Sequence, residues 1–162
     1  MIPSYLQEVF LPFAKIEKTS CITSGSLRCC TNKFLVFFSG KLKSGILGKQ
    51  YFGGDDNGLA ILCKCSVCGK SISVFDSDKN GYNACIEVDE NKNQKQVFHQ
   101  FFCNKCNGNK FTIEISFEYL PEDELENDGF IDISNAFTWI YASITCVSCG
   151  KHYKRILDFE TC

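Results

Sequence analysis

The sequence repeats one short motif three times, as Cys65-Ser66-Val67-Cys68-Gly69, Cys103-Asn104-Lys105-Cys106-Asn107-Gly108 and Cys146-Val147-Ser148-Cys149-Gly150. Each copy holds two cysteines separated by two residues and followed by glycine or by Asn-Gly. Two thiolates at this spacing on a tight turn can bind the same metal ion, and the glycine permits the turn of the backbone beneath them. Because structural zinc takes four ligands, two such turns complete one site. The motifs therefore predict structural Zn²⁺, with six cysteine ligands: Cys65, Cys68, Cys103, Cys106, Cys146 and Cys149.

The pairing of these turns stays open at this stage, because three pairs supply six thiols and one site uses four. Either one pair is spare, or a second ion recruits further ligands. The candidates for recruitment are Cys63, His99, His152 and Cys162. Four more cysteines lack ligand spacing and are predicted to be ordinary buried or half-buried thiols: Cys21, Cys29, Cys30 and Cys85. Redox chemistry is disfavoured, because a reactive CxxC pair begins a helix, and these pairs lie between strand patterns.

The segments that flank the three turns read as β-strands. In the clearest of them, the apolar residues Phe111, Ile113, Ile115, Phe117 and Tyr119 alternate with polar ones, as expected for a strand with one buried face. The segment 137–145 is apolar on both faces, which favours a central strand. Near the N-terminus, Ser4 to Leu11 can form a short helix that Pro12 stops. We therefore expect a mainly β protein, with an antiparallel sheet, zinc-ribbon-like CxxC knuckles and a short N-terminal helix.

A glycine-rich stretch divides the chain by composition. Six glycines lie between Gly40 and Gly58, and nine of the twelve cysteines follow it. We predict an N-terminal segment, 1–58, with a helix, a strand and a glycine-rich loop. A zinc-binding β domain, 59–162, follows it, and the two form one compact unit overall.

The start of the chain does not resemble a secretory signal, because it lacks a basic region and carries Pro3 and Glu8. The longest apolar runs have five residues, far short of a membrane-spanning helix. A reducing cytoplasm is the expected location, where cysteines usually bind metal or react rather than form disulfides.

Charge is distributed unevenly along the chain. Residues 1–58 contain seven basic and four acidic residues, whereas residues 59–162 contain ten basic and fifteen acidic residues. The stretch 121–129 is the most acidic, and it reads either as a solvated loop or as a docking surface for a basic partner. Its docking candidates are Glu122, Asp123, Glu124, Glu126 and Asp128.

The segment from Asp76 to Glu87 fits the calcium-binding loop pattern of EF-hands. The pattern normally lies between two helices, whereas residues 71–75 read as a strand. A turn rich in Asp, Asn and Gly is the plainer interpretation, and Ca²⁺ is not expected.

Motifs for catalysis do not emerge from the sequence. Neither His99 nor His152 lies in the H-x-E pattern of zinc deaminases. The glycine-rich loop lacks the lysine that a phosphate-binding loop requires, since Ile46 follows Gly45. We expect a protein that is not an enzyme.

The stretch 59–162 resembles small uncharacterised bacterial proteins with repeated CxxC turns. The resemblance is carried by the first and third cysteine turns, the tract 75–84, Thr138-Trp139-Ile140 and Phe159-Glu160-Thr161. In size and mild acidity the chain also resembles immunity proteins of polymorphic and contact-dependent toxin systems. That general resemblance implies a cytoplasmic protein that binds and neutralises a nuclease-type toxin, and it carries over no binding residues. A zinc-ribbon protein that associates with nucleic acid is the alternative, disfavoured by the acidity of residues 59–162.

Overall fold

The computed structural model describes residues 1–15, 20–80, 96–127 and 133–161, apart from the side chains of 126 and 127. Eleven strands and two α-helices lie in this part of the chain. The strands are β1 (Phe10–Pro12), β2 (Ile22–Leu27), β3 (Phe34–Ser39), β4 (Lys41–Ser44), β5 (Gln50–Gly53), β6 (Ala60–Cys65), β7 (Ser71–Asp76), β8 (His99–Gln100), β9 (Phe111–Tyr119), β10 (Phe137–Cys146) and β11 (His152–Glu160). The helices are α1 (Ser77–Asn80) and α2 (Glu122–Asn127), and 3-10 turns span Ser4–Leu6, Ile46–Gly48 and Ile133–Asn135. The expected mainly β, antiparallel fold is confirmed.

Strand β9 shows why the sequence forms this sheet. Its alternating apolar residues, Phe111 to Tyr119, are all buried, and the polar residues between them face outward. The neighbouring strand β10 pairs with β9 on one side and β11 on the other, so it has a partner on both edges. The buried faces of these strands join one apolar core with Phe34, Phe75 and Phe101. Burial of such aromatic side chains supplies much of the driving force for folding.

The order of the strands reveals an internal repeat. Read across the sheet, six strands follow one another as β11, β10, β9, β3, β6 and β7. Strands β3, β6 and β7 form one three-stranded unit, and β9, β10 and β11 form a second unit with the same connectivity. The first strands of the two units meet where Phe34 pairs with Phe111. The CxxC turn lies between the second and third strands in both units.

Each unit is also preceded by a strand that pairs with the other unit, and we call these two strands the exchanged arms. Strand β2, which precedes the first unit, pairs with β9 of the second unit. Strand β8, which precedes the second unit, pairs with β3 of the first. Each unit therefore completes the sheet of the other, and strand pairing crosses between them in both directions.

Each unit carries an insertion between its first and second strands. In the first unit it is the β4–β5 hairpin, whose tip exposes Ile46 and Leu47. In the second unit it contains the acidic helix α2, which Leu125 anchors in the core. The boundary at residue 58 stays a prediction; β3 and β6, which lie on either side of it, pair along their whole length.

The N-terminal helix is shorter than the sequence suggests. A 3-10 turn covers only Ser4–Leu6, and the chain then enters β1. Phe10 and Leu6 are both buried, and Phe10 pairs with Leu27 of β2. An extended backbone at β1 lets Phe10 reach the core, so tertiary burial overrides the helical pattern. Among the described residues, no helix is long and apolar enough to span a membrane.

Candidate metal centres

The three CxxC turns share one backbone geometry. In each, the N–H of the first cysteine donates to the carbonyl five residues later, and its carbonyl accepts from the N–H four residues later. The residue that donates that second hydrogen bond has a positive φ in all three: 74° at Gly69, 59° at Asn107 and 71° at Gly150. Glycine and asparagine are the residues that adopt this conformation most readily. The glycine or asparagine after each pair is thus explained by the turn itself.

The first cysteine cluster consists of Cys29, Cys30, Cys65 and Cys68. Cys29 and Cys30 lie in the loop between β2 and β3, whereas Cys65 ends β6. The Sγ atoms of Cys29 and Cys68 are 3.5 Å apart, and those of Cys29 and Cys30 are 3.9 Å apart. All four Sγ atoms lie within 4.8 Å of one another, so these thiols could hold one metal ion.

The second cysteine cluster consists of Cys103, Cys106, Cys146 and Cys149. The Sγ–Sγ distances are 3.6 Å between Cys103 and Cys149, and 3.6 Å between Cys106 and Cys146. Cys103 and Cys146 are buried. This group also satisfies the spacing for one metal ion.

The structure therefore divides the six cysteines predicted as ligands between two groups. The second and third CxxC turns meet each other, whereas the first turn meets Cys29 and Cys30. The prediction that Cys29 and Cys30 are ordinary thiols was wrong about their surroundings. The sequence offered one signal. Cys29 and Cys30 lie shortly before the buried strand β3, just as Cys103 and Cys106 lie shortly before β9. Because Cys29 and Cys30 are adjacent in the sequence, they do not form a CxxC motif, and the pattern did not indicate that the two pairs occupy equivalent positions.

The register of the strands explains why each cluster forms. Cys65 is paired with Phe34, the first residue of β3, and the next residue, Ser66, donates its N–H to the carbonyl of Lys33. In the second unit, Cys146 is paired with Phe111 and Val147 donates to Lys110 in the same way. The loop that precedes each first strand is thereby held beside the CxxC turn of the same unit.

The other proposed recruits lie elsewhere. Cys63 is fully buried inside the sheet, and burial raises the pKa of its thiol. His99 packs against the ring of Phe38, and His152 Nδ1 shares a hydrogen bond of 2.9 Å with Thr145 Oγ1. Cys21 is exposed and belongs to neither cluster. Cys85 and Cys162 lie outside the described residues.

The surroundings of Cys65 and Cys30 in the first cysteine cluster shift the pKa values of the two thiols in opposite directions. Hydrogen bonds from the backbone N–H groups of Cys68 and Val67 lower the pKa of the Cys65 thiol to about 6. The neighbouring thiols of Cys68 and Cys29 raise the pKa of Cys30 to about 11. Crowded thiols cannot all ionise together without a compensating positive charge, which a divalent cation would provide.

The second cysteine cluster shows the same electrostatic division. Burial opposes ionisation of Cys103, but hydrogen bonds from the Tyr153 hydroxyl and from backbone N–H groups lower its pKa to about 6. The N–H of Gly108 favours the Cys106 thiolate, yet the adjacent thiols of Cys149 and Cys146, with burial, raise its pKa to about 12. This group too is arranged for a cation.

Two residues other than the four cysteines shape the second cysteine cluster. The Tyr153 hydroxyl shares its proton between Cys103 Sγ at 3.3 Å and Asn104 Oδ1 at 2.8 Å, and it accepts from the N–H of Asn104 at 2.9 Å. Gly108 donates its N–H to Cys106 Sγ at 3.4 Å. A Cβ atom at Gly108 would lie 3.2 Å from the Sγ atoms of both Cys106 and Cys146. Glycine is needed here because of this close approach.

The acidic docking candidates lie mostly on α2. Asp123 and Glu124 are exposed and Glu122 is half-buried. The backbone of Glu126 belongs to the same helix, whereas Asp128 lies outside the described residues.

The calcium-loop segment uses its first residues for local contacts. Asp76 Oδ1 accepts the N–H of Asp78, and Asn80 Oδ1 accepts the N–H of Asp76. The remaining positions of the pattern, Tyr82 and Glu87, lie outside the described residues.

Comparison with known proteins adds no family assignment. No family model, curated protein or solved structure matches this chain.

Proposed function

We propose that this chain is a non-enzymatic protein-binding module whose sheet is held together by two structural zinc ions. The observation that carries the proposal is the convergence of eight cysteines into two groups of four, one in each repeated unit. Each ion would connect a loop before the first strand of a unit to the turn after its second strand. Zinc binding would then contribute directly to the stability of the sheet.

The sulfur spacing favours zinc as the ion. Four thiolates at about 2.3 Å from a tetrahedral zinc ion stand about 3.8 Å apart. Four of the Sγ–Sγ distances, at 3.5 to 3.9 Å, are close to that value, and all Sγ atoms of a cluster lie within 4.8 Å of one another. Thiolate-only, tetrahedral sites are typical of structural zinc.

A structural role for the ions follows from the same donor set. Four cysteines fill the coordination shell of zinc, so no position remains for a water molecule or a substrate. The ions would act as staples, and the activity of the protein would lie on its surface.

The proposed partner is a basic protein, because the sequence after residue 58 carries an excess of acidic residues. Oppositely charged surfaces accelerate association and favour the correct partner. Asp123 and Glu124 on α2 contribute to this charge. Neutralisation of a basic, nuclease-type toxin in the cytoplasm of a bacterium is the specific role that we propose, as an immunity protein would perform it.

Zinc content tests the first half of the proposal. Native mass spectrometry of the chain purified under reducing conditions should show two zinc ions. Removal of zinc by a chelator should abolish cooperative melting, because binding energies of roughly 10–16 kcal/mol per structural zinc site are reported for small zinc peptides. A metal-free chain that melts cooperatively at the same temperature would contradict the structural role.

The partner is tested with the toxin domain encoded beside the gene for this chain. Under the proposal, the zinc-loaded chain forms a one-to-one complex with that domain and suppresses its nuclease activity. The absence of a complex, or of a toxin gene at that position, contradicts the immunity role. Salt-sensitive binding to mixed nucleic acid would instead favour the zinc-ribbon alternative.

A further inference from the structure

The outward face of β9, β10 and β11 carries a cluster of side chains that the metal centres do not use. The inward residues of these strands form the core, so the alternating residues between them face outward. On β10 these include Trp139 and Tyr141, which are only half-buried. Large aromatic side chains on an open sheet face are candidates for a binding surface.

Three of these side chains form a continuous stack. The ring centroids of Trp139 and Tyr141 are 5.9 Å apart with an interplanar angle of 21°. The guanidinium Cζ of Arg155 lies 4.0 Å from the centroid of the Tyr141 ring, which is a close cation–π contact.

Asp158 contacts both ends of the stack, Trp139 and Arg155. Its Oδ1 accepts the indole N–H of Trp139 at 2.8 Å, and its Oδ2 lies 3.8 Å from Arg155 Nη1. Asp158 faces Tyr141 across the strand pair. The stack is therefore ordered before any partner arrives, which reduces the entropic cost of binding.

The backbone is distorted at the point that positions Arg155. Ala142 pairs with Leu157 and Ile144 pairs with Tyr153, so three residues of β11 stand opposite Ser143 alone. Within this bulge Arg155 has a φ of 48°, and its N–H donates to Ser143 Oγ at 3.0 Å. A positive φ is unusual for a long side chain, and bulges often redirect a side chain near a functional site. Here the bulge coincides with the stacking of Arg155 on Tyr141.

Carboxylates surround the stack. Glu118 and Glu160 stand opposite Trp139 on its two neighbouring strands, and Glu114 stands opposite Ser143. Glu114 and Glu160 are exposed, and the Asp158 side chain retains 37% exposure. Because Asp158 partly neutralises Arg155, the three glutamates give this surface a negative character.

We propose that this surface docks an arginine- or lysine-rich surface of a partner protein. We name it the stack face, and its residues are Glu114, Glu118, Trp139, Tyr141, Arg155, Asp158 and Glu160. The inference rests on the proposed function and names the surface that would meet the basic partner. Partner cations would lie against the ring of Trp139 and pair with Glu118 and Glu160, while Arg155 keeps its place on the ring of Tyr141. Trp, Tyr and Arg are the residues that most often dominate binding energy at protein interfaces.

Two other occupants fit this surface less well. The phosphates of a nucleic acid would be repelled by the glutamates. A second copy of the chain, docked face to face, would bring the same carboxylates against each other.

The single tryptophan of the sequence makes the test direct, because all tryptophan fluorescence comes from the stack face. The zinc-loaded full chain is titrated with a peptide of four arginines spaced by glycines and blocked at both ends. The double variant Glu118→Gln/Glu160→Gln removes two charges from the stack face, and Glu122→Gln/Glu124→Gln removes two from α2. We expect the fluorescence to change on binding, with at least tenfold weaker binding for the first variant and less than a twofold effect for the second.

Several results would overturn the assignment. Equal weakening by both variants, or no fluorescence change with the peptide, would do so. So would equal binding of a tetraglutamate peptide or of oligothymidine, or a wild-type dimer that Trp139→Ala dissolves. Zinc content and melting temperature of each variant verify that it is folded.

The toxin domain separates this inference from the proposed function. If the wild type neutralises the toxin and only the α2 variant loses that ability, the function stands and the stack face is wrong. If the arginine peptide binds at the stack face as expected but the toxin domain is not bound, the surface stands and the immunity role falls.

Discussion

Phe34 pairs with Phe111 at the junction of the two repeated units, and each is also paired with the first cysteine of a CxxC turn. Phe34 faces Cys65, whereas Phe111 faces Cys146. Both phenylalanine side chains are fully buried. The apolar centre of the sheet therefore sets the position of both cysteine clusters, and the chain has one four-cysteine arrangement in two copies.

The ligand assignment predicts that Cys29→Ser and Cys30→Ser each lower the zinc content from two ions to one. Serine preserves the size of the side chain but is a poor ligand for zinc. Native mass spectrometry measures the stoichiometry. Cys21→Ser is the matched control, because Cys21 is exposed and lies outside both clusters, and it should keep two ions. Two tightly bound ions in Cys30→Ser would remove Cys30 from the ligand set.

The two centres are expected to differ in their resistance to chelators. Tyr153 donates to Cys103 in the second cysteine cluster, whereas the equivalent position of the first unit, four residues after its CxxC pair, is the apolar Ile72. Hydrogen bonds to metal ligands typically change affinity by about 10- to 100-fold. We expect a chelator titration, followed by native mass spectrometry, to empty the first cluster before the second.

The variant Tyr153→Phe should reduce the difference in zinc affinity between the two clusters by about tenfold, since it removes only the hydroxyl. Tyr51→Phe, which removes a hydroxyl from an exposed side chain of β5, serves as the control and should leave both affinities unchanged. Loss of both ions in a single step in the wild type would show that the centres are not distinguished in this way.

Gly108→Ala should weaken the second cysteine cluster through steric contact. The added Cβ would lie 2.9 Å from Ser148 Oγ and 3.2 Å from the Sγ atoms of Cys106 and Cys146. Overpacking of this kind typically costs about 1–3 kcal/mol, and the loss should appear in the melting temperature and in zinc affinity. Gly54→Ala is the control, because its nearest contact would be an ordinary 3.6 Å. Equal effects of the two variants would argue against crowding at the sulfurs.

The exchanged arms predict that the two units do not fold separately. A chain cut within residues 81–95 separates β2 from its partner β9, and β8 from its partner β3. We expect fragments 1–80 and 96–162 to show little cooperative melting alone, even with zinc. Mixed with zinc, they should recover the circular dichroism spectrum and melting of the full chain. Independent cooperative folding of either fragment would contradict the exchange.

Much of the local structure could be predicted from the sequence. The three CxxC turns are defined by residues within six positions of one another, and the alternation from Phe111 to Tyr119 specifies a half-buried strand. The N-terminal pattern predicted a longer helix than the structure has, because the burial of Phe10 against β2 depends on a strand that lies elsewhere in the sequence.

The completion of each metal centre depended on the tertiary structure. Cys29 and Cys30 carry no ligand spacing of their own, and the pairing of β3 with β6 brings them beside Cys65. The stack of Arg155 on Tyr141 likewise depends on a bulge between two strands. The sequence alone thus determined which turns can hold a metal ion, because turn geometry is local. Only the tertiary structure decided which thiols meet in one cluster and which side chains form the stack face, because strand register joins residues that are distant in the chain.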